Sequence, residues 1–542
     1  MKDYGLTDVL GPIMIGPSSS HTAGALCIAA MVRRLLTAPP VEVRFTLYGS
    51  FARTYRGHGT DRALVAGILG FDTDDLRIRD SLELAGQMGL TYDFVIDTHK
   101  KTSHPNTVDV LVRDAEGQTI EARGESIGGG AARLTRIDGN KVELAGEHDS
   151  VIVYQHDVPG VLGFIAGTFG RAGINIGSVR LYRSRPGGEA FNVLEVDGQI
   201  PQEVRDQILA YPEVRRFLFL PAMGSQGMGE AGPADLAPAY SADQAEFALS
   251  DMEFLDGASI LAFANEREKN LGQVFLLREE LRQAMRGIGR SQLDDYLDRV
   301  WSVMGDSVRG ALSRRIQTMG GLIGGEAHAL AGSTAGGRVF DNAASRAAAY
   351  SMAALETNAS MGRIVAAPTA GSCGVLPGVM MALDEELHFG EQARREALGC
   401  AAAIGYVVSR NATVAGAEGG CQAEMGTAAA MAAGAATQLL GGTAEQCLSA
   451  AAITIANMLG LVCDPVGGLV EDPCQKRNAS GAANALVATQ LALAGVRPTA
   501  PFDETVDAMR RVGRSLPMEL RETALGGIAA CPSCRARLQL KL

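Results

Sequence analysis

Hydrophobic and polar positions change their period along the chain, and the changes divide it. From residue 1 to about 148, alternating or β-branched stretches such as VEVRFTLYG at Val41 and YDFVIDT at Tyr92 are interleaved with AGALCIAAMVRRLL, whose apolar residues recur at helical spacing. This predicts an α+β domain. Between 151 and 220 the order is VIVYQ, the helix-like PGVLGFIAGTFGRAG, INIGSVRLYRS, a turn at RPGG, EAFNVLEVDG, the helical PQEVRDQILA and RRFLFL. That is βαββαβ, a ferredoxin-like module. Residues 221–241 are rich in Gly, Pro and Ala with little periodic hydrophobicity, as a linker should be. Over 242–542 Ala, Leu, Glu and Arg dominate and glycines punctuate segments of helix length, so an all-α domain is predicted.

At 542 residues the chain exceeds what one hydrophobic core serves, in keeping with this division. A net charge of -12 and a pI near 5.3 argue against nucleic acid and against an anionic membrane surface as partners. A small-molecule enzyme fits better. The opening MKDYGLTDVLGPIMIG has no secretory pattern, and nine cysteines, an odd number set in apolar segments, do not read as a disulfide framework. A cytoplasmic protein with reduced thiols is the expectation. The uncharged runs from Thr427 to Ala444 and from Gln446 to Cys463 approach the length of a membrane span. They are Ala/Gly/Thr-rich and flanked by Glu424, Glu445 and Asp464, and so are expected to be buried helices.

Cys421 in GAEGGCQAEMG, Cys463 in LGLVCDPVGG and Cys474 in VEDPCQKRN carry the sharpest chemistry. Three thiolates can hold a four-iron cluster and leave one iron open as a Lewis acid, although buried cysteines also serve simply as packing. Cys27, Cys400 and Cys447 are assigned to packing, and Cys373 lies in a helix pair broken by Gly and Pro. The tail carries Cys531 and Cys534 in a C-x-x-C spacing that suits half of a zinc site, a redox pair or a late cluster ligand. IGPSSSHTAG places Ser18, Ser19, Ser20, His21 and Thr22 before an apolar helix, where hydroxyls and free N–H groups form either an anion site or an ordinary cap. His58 lies between two glycines in RGHGTD, with its imidazole not enclosed by neighbouring side chains. With a pKa near 6.5 it is a candidate base, or else a surface-loop histidine. HPNTV, with Asn106, and SIGGG, with Ser126, add polar turns, so one face of this domain is expected to bind a small anionic molecule.

The strings GPSSSHTAG, GSFA followed by GHGTDRAL, HPNTV, SIGGG, APTAGSCGVLPG, GAEGGCQAEMG, CDPVGGLVEDPC and RETALGGIA together resemble the iron-sulfur L-serine dehydratases, in that family's order and over nearly the whole chain. The resemblance implies a β domain over 1–148, an inserted ACT domain over 151–220 and a helical catalytic α domain over 242–542. It further implies a [4Fe-4S] cluster on Cys421, Cys463 and Cys474, L-serine as substrate, and pyruvate and ammonia as products. His58 would be the base, and Ser18 to Thr22, Asn106 and Ser126 the substrate contacts. Cys534 stands at the distance of a removable fourth ligand found in some relatives, but RARLQLKL follows it here. CQKRN also departs from the pattern, with Gln475 and Lys476 where many relatives have an apolar residue and Glu. The ACT resemblance implies an effector site at Gly173 and Asn175 and pairing into a homodimer.

Three other classes compete. A pyridoxal-phosphate dehydratase needs a Schiff-base lysine in a phosphate-cradling loop, and after the linker only Lys269, Lys476 and Lys541 occur, none in such a loop. An amino-acid sensor with structural zinc on Cys463, Cys474, Cys531 and Cys534 would be colourless. A related β-eliminase acting on cysteine would need the same base and open iron.

Overall fold

The computed structural model describes residues 4–183, 185–198, 200–223, 238–333 and 342–539. Most of the predicted linker, 224–237, lies outside the described residues. In the first domain Pro40–Tyr48 turns Val43, Phe45 and Leu47 to one face, all essentially buried, as the period of two requires. It pairs parallel with Thr91–Asp97 and antiparallel with Thr107–Asp114, and Thr119–Gly128, Ala131–Ile137 and Asn140–Leu144 follow as antiparallel neighbours. The helices Gly24–Arg34 and Thr60–Leu69 share one hydrophobic core with the sheet.

The second domain is the expected βαββαβ unit. Its sheet runs Val214–Leu220, Asp149–His156, Glu189–Val196, Ile176–Arg183, all antiparallel. Val151, Val153, Leu194 and Phe217 pack under the helices Val161–Arg171 and Gln202–Leu209. The alternate residues Ile152, Phe191, Val193 and Leu218 join the core of the first domain instead. Arg216 pairs with Asp138 at 2.7 Å and Arg180 with Glu143 at 3.1 Å across this contact.

The third domain is helical, as expected. Thr427–Leu439 is buried from Thr427 to Thr437, and its small residues let neighbouring helices come close: a side chain on Gly434 would strike Ile404. Among the described residues no helix is long and apolar enough to cross a membrane, so the two uncharged runs are core helices, Thr427–Leu439 and Ala444–Ala456. Sequence placed residues 1–148 in one domain, yet Leu6, Val9, Leu10 and Ile13 lie in the core of the helical domain. Leu6 N–H donates to Glu279 and the Tyr296 hydroxyl to Leu10 O. Ile13–Ile15 pairs antiparallel with Arg363–Val365, so a small sheet joins the first and third domains. Too short to show a period, this segment carries no signal of where it packs.

A candidate active site at the seam between two domains

Ser18, Ser19, Ser20, His21 and Thr22 form the turn that leads into Gly24–Arg34. Three of the hydroxyls are already engaged. Ser18 Oγ accepts from His21 N at 3.1 Å, and Thr22 Oγ1 donates to the carbonyl of His58 at 2.7 Å. Both ring nitrogens of His21 meet hydroxyls, Nδ1 at Ser20 Oγ (2.9 Å) and Nε2 at Ser50 Oγ (2.9 Å). Ser126 Oγ donates to Ser20 O at 2.8 Å, and its own N–H donates to Asn106 O. Gly49 fixes the approach of Ser50 to this loop. It has φ 56°, and a Cβ there would lie 2.4 Å from Pro105 O. The polar turns predicted to share a face thus come together, with Ser50 added to them.

His58 differs from its sequence reading. It is buried, with 2 % of its surface exposed, because the helical domain closes over the loop that sequence showed only between two glycines. Its ring lies 4.5 Å from that of His21, centroid to centroid, and no side chain hydrogen-bonds to either ring nitrogen, which leaves the backbone of Gly468 as its polar neighbour. Burial pulls its pKa down to about 4, with the backbone of Gly468 opposing the shift. His21 is likewise held well below the usual imidazole range by burial and by His58. Both rings are therefore neutral at neutral pH. His21 has both nitrogens engaged by hydroxyls, whereas His58 meets only the backbone of Gly468.

Gly468 belongs to the loop between Cys463 and Cys474. This loop turns at Gly467 and Gly468, with φ 64° and 71°, and a Cβ on Gly468 would touch Thr54 of the first domain at 3.3 Å. Its charges are anchored. Asp464 pairs with Arg477 at 2.8 Å and accepts from Ile528 N at 2.6 Å, while Glu471 accepts from Gly320 N and Leu322 N at 2.6 and 2.7 Å. Gln475, a departure noted in the sequence, is fully buried and donates to Glu356 Oε1 at 2.6 Å, and Lys476 pairs with Asp472 at 2.6 Å on the surface.

Cys421, Cys463 and Cys474 are buried free thiols. Cys421 and Cys463 face each other, and their contact lowers the pKa of Cys421 and raises that of Cys463. Arg477 also favours the Cys421 thiolate, and Cys474, raised by burial, feels the Cys421 charge as well. Glu424 accepts from Thr369 Oγ1 at 2.9 Å and lies 3.9 Å from Cys463 Sγ. Its carboxyl is pushed up to about 8 by its surroundings and by Cys421.

Among the described residues no three metal-binding side chains already converge on a point that would hold one ion. A multi-iron cluster is larger than an ion and needs thiolates set apart around it. Three buried thiols with one guanidinium to offset their charge are chemically suited to such a group. Cys531 is exposed and Cys534 half-buried, at the start of the helix Pro532–Gln539. Leu538 of that helix packs on the Gly467 turn. Cys27, Cys373, Cys400 and Cys447 are buried in the cores. In the ACT-like unit Gly173 has φ 72° and Asn175 is exposed, donating to Asp197 Oδ2 at 2.8 Å.

Ser50, Glu424 and Arg477 lie within strings singled out from sequence but were given no role in the site, and Asn358 lies ahead of APTAGSCGVLPG. Asn358, in NASMG, donates through Nδ2 to Pro17 O (3.3 Å) and Ala370 O (2.8 Å), tying the two domains together.

Comparison with known proteins agrees with this organisation. The model for the serine dehydratase beta chain matches residues 7–135, that for the ACT domain 150–213 and that for the serine dehydratase alpha chain 235–529. A probable L-serine dehydratase alpha chain of Bacillus subtilis is 41% identical over 283 residues, 52% of this chain and 93% of its own length. The L-serine dehydratase beta chain of Peptoniphilus asaccharolyticus is 39% identical over 217 residues, 40% of this chain and 96% of its own. The L-serine dehydratase of Streptomyces coelicolor is 29% identical over 534 residues, 95% of this chain and 96% of its own.

Proposed function

The chain belongs to the serine dehydratase family, and from that premise we propose that it is an L-serine ammonia-lyase, converting L-serine to pyruvate and ammonia with a [4Fe-4S] cluster on Cys421, Cys463 and Cys474. The observation that carries this reading is the position of His58. It is a buried neutral imidazole whose ring nitrogens meet no side chain, facing the Gly468 backbone of the loop that joins two of the three cysteines.

Elimination of water from serine needs a base at the α-proton and an electrophile at the hydroxyl. An iron corner without a thiolate supplies the electrophile when the cluster is bound. The protein's own groups do the rest. His58 takes the α-proton on a free ring nitrogen. His21, held between Ser20 and Ser50, packs edge-on against it and fixes its plane. The carboxylate is received at the turn Ser18 to Thr22, where Ser19 and Ser20 present hydroxyls at the start of a helix, with Ser126 and Asn106 holding Ser20 in place. Closure of the helical domain over His58 keeps bulk water from the proton being moved. The enamine product leaves and is hydrolysed in water to pyruvate and ammonia.

Cys534 enters the reading as a displaceable ligand that must first leave its place beside the Gly467 turn. Gly173 and Asn175 are assigned to a serine effector. The exposed edge strand Ile176–Arg183, with Val179 and Leu181 turned outward, supports pairing into a homodimer, and the reduced thiols support a cytoplasmic location. Anaerobic purification tests the core of the proposal. The protein should be brown, carry iron and sulfide, and form pyruvate from serine faster than from threonine or sulfide from cysteine. A colourless, iron-free protein that still dehydrates serine would overturn the cluster assignment, and preference for cysteine would overturn the substrate.

A further inference from the structure

We propose that Asn358 is a specificity-determining residue that receives the substrate's α-ammonium group on its side-chain oxygen. The inference rests on the serine reading above and adds the group that distinguishes an amino acid from a hydroxy acid. The orientation of the amide is dictated by its partners. Pro17 and Ala370 both offer carbonyl oxygens, at 3.3 and 2.8 Å, and only the NH2 end can donate to them. Oδ1 must then point away, and it is buried with no hydrogen-bond partner. A buried acceptor left without a donor is unfavourable, so its retention points to a donor that arrives with a ligand.

The placement selects which donor. Pro17 immediately precedes the Ser18 to Thr22 turn assigned to the carboxylate, and Thr22 in turn holds the carbonyl of His58. On the other side, Asn358 O accepts from Met361 N, and Met361 Sδ lies 3.2 Å from where a Cβ on Gly59, next to His58, would stand. Asn358 therefore borders the same part of the seam as the carboxylate turn and the base. In an α-amino acid the carboxylate, the ammonium and the proton to be removed share one carbon, so their three receivers must be neighbours. The hydroxyl is one carbon further, on the side of the cysteines. An amide oxygen is also a neutral acceptor. It binds the ammonium without placing a negative charge beside the substrate carboxylate.

The test uses the cluster-loaded enzyme and 3-hydroxypropanoate, which is serine without its amine, as a competitive inhibitor. In Asn358→Ala, KM for L-serine should rise by about 10- to 100-fold more than Ki for 3-hydroxypropanoate, the scale for losing a hydrogen bond to a charged group, because the lost tie to Pro17 weakens both ligands alike. Equal losses for both would mean that Asn358 only ties Pro17 to Ala370, and the inference would be overturned. Should that variant fail to fold, the wild type decides. L-serine should raise Tm at concentrations about tenfold or more below those needed for 3-hydroxypropanoate, and equal potency overturns the proposal. If the loaded wild type forms no pyruvate from serine, the substrate reading itself falls and this inference with it. Pyruvate formation with equal losses in the variant defeats the inference alone.

Discussion

The pKa of His58 links catalysis to stability, and both sides can be measured. Burial lowers it from 6.5 to about 4 in the folded protein. If His58 is the base, kcat/KM, which reports the free enzyme, should be flat above about pH 5 as far as this group is concerned and should fall tenfold per unit below about pH 4. The stability effect has the same origin. The unfolded chain binds a proton at this histidine below pH 6.5, whereas the folded chain does so only below about 4. Stability at this site is therefore complete above 6.5 and is lost as the pH falls through that window. At about 1.4 kcal/mol per unit, the shift amounts to about 3 kcal/mol, with no discount for exposure because the ring is buried. His58→Ala should lower kcat by roughly 10² or more while leaving visible absorbance from the cluster intact. Urea unfolding at pH 7.5 and 4.5 should show the variant losing less stability on acidification than the wild type, by most of that 3 kcal/mol. Near-normal turnover in the variant, or an inflection in wild-type kcat/KM at 6.5 that vanishes with the mutation, would refute the reasoning.

Cys421→Ala, Cys463→Ala and Cys474→Ala should each lose iron and activity, and full iron content in any one removes that cysteine from the ligand set. Cys534→Ser should leave a working site with faster inactivation by oxygen and no slow activation phase. Unchanged oxygen lifetime and progress curves would place the tail outside the chemistry. Replacing residues 151–220 by a flexible graft should preserve some turnover but change its dependence on serine, and hydrogen exchange that serine leaves unaltered around Gly173 to Asn175 would defeat the effector site.

The sequence was legible where a signal was local. The period of two in VEVRFTLYG fixed the face that Val43, Phe45 and Leu47 present to the core, and the βαββαβ order emerged from short apolar runs between turns. Small-residue runs of near-membrane length were recognisable as core helices because charges bracket them. What was not legible depends on the partner domain. His58 reads as open because its sequence neighbours are glycines, and it is buried by Gly468, more than four hundred residues away. The helix Leu6–Val9 offers no periodicity that could announce its place in the helical core. Asn358 and Ser50 are ordinary polar residues in sequence, and their significance lies in a carbonyl pair and an imidazole that only the tertiary fold supplies.

The two sides of the seam are held by different means, and that bears on how the site is assembled. On the cysteine side the loop is immobilised by charge. Asp464 is bound to Arg477 and to the Ile528 amide, Glu471 to two backbone amides, and Gln475 to Glu356, so each turn around Cys463 and Cys474 is fixed by a hydrogen bond from another segment. Cys463 itself is stitched into the tail, donating through its N–H to Leu520 O and accepting from Glu522 N. On the His58 side the links cross from one domain to the other, and they include Arg299 and Arg363 on Asp74 and the Ala366 N–H on Pro12 O. Asn358 grips Pro17, the strand Ile13–Ile15 pairs with Arg363–Val365, and Gly468 touches the loop of His58. A slight shift of the first domain would move His58 and leave the three thiols in place. Because Leu6, Val9, Leu10 and Ile13 are built into the helical core, the two domains cannot separate without pulling these first residues out of it.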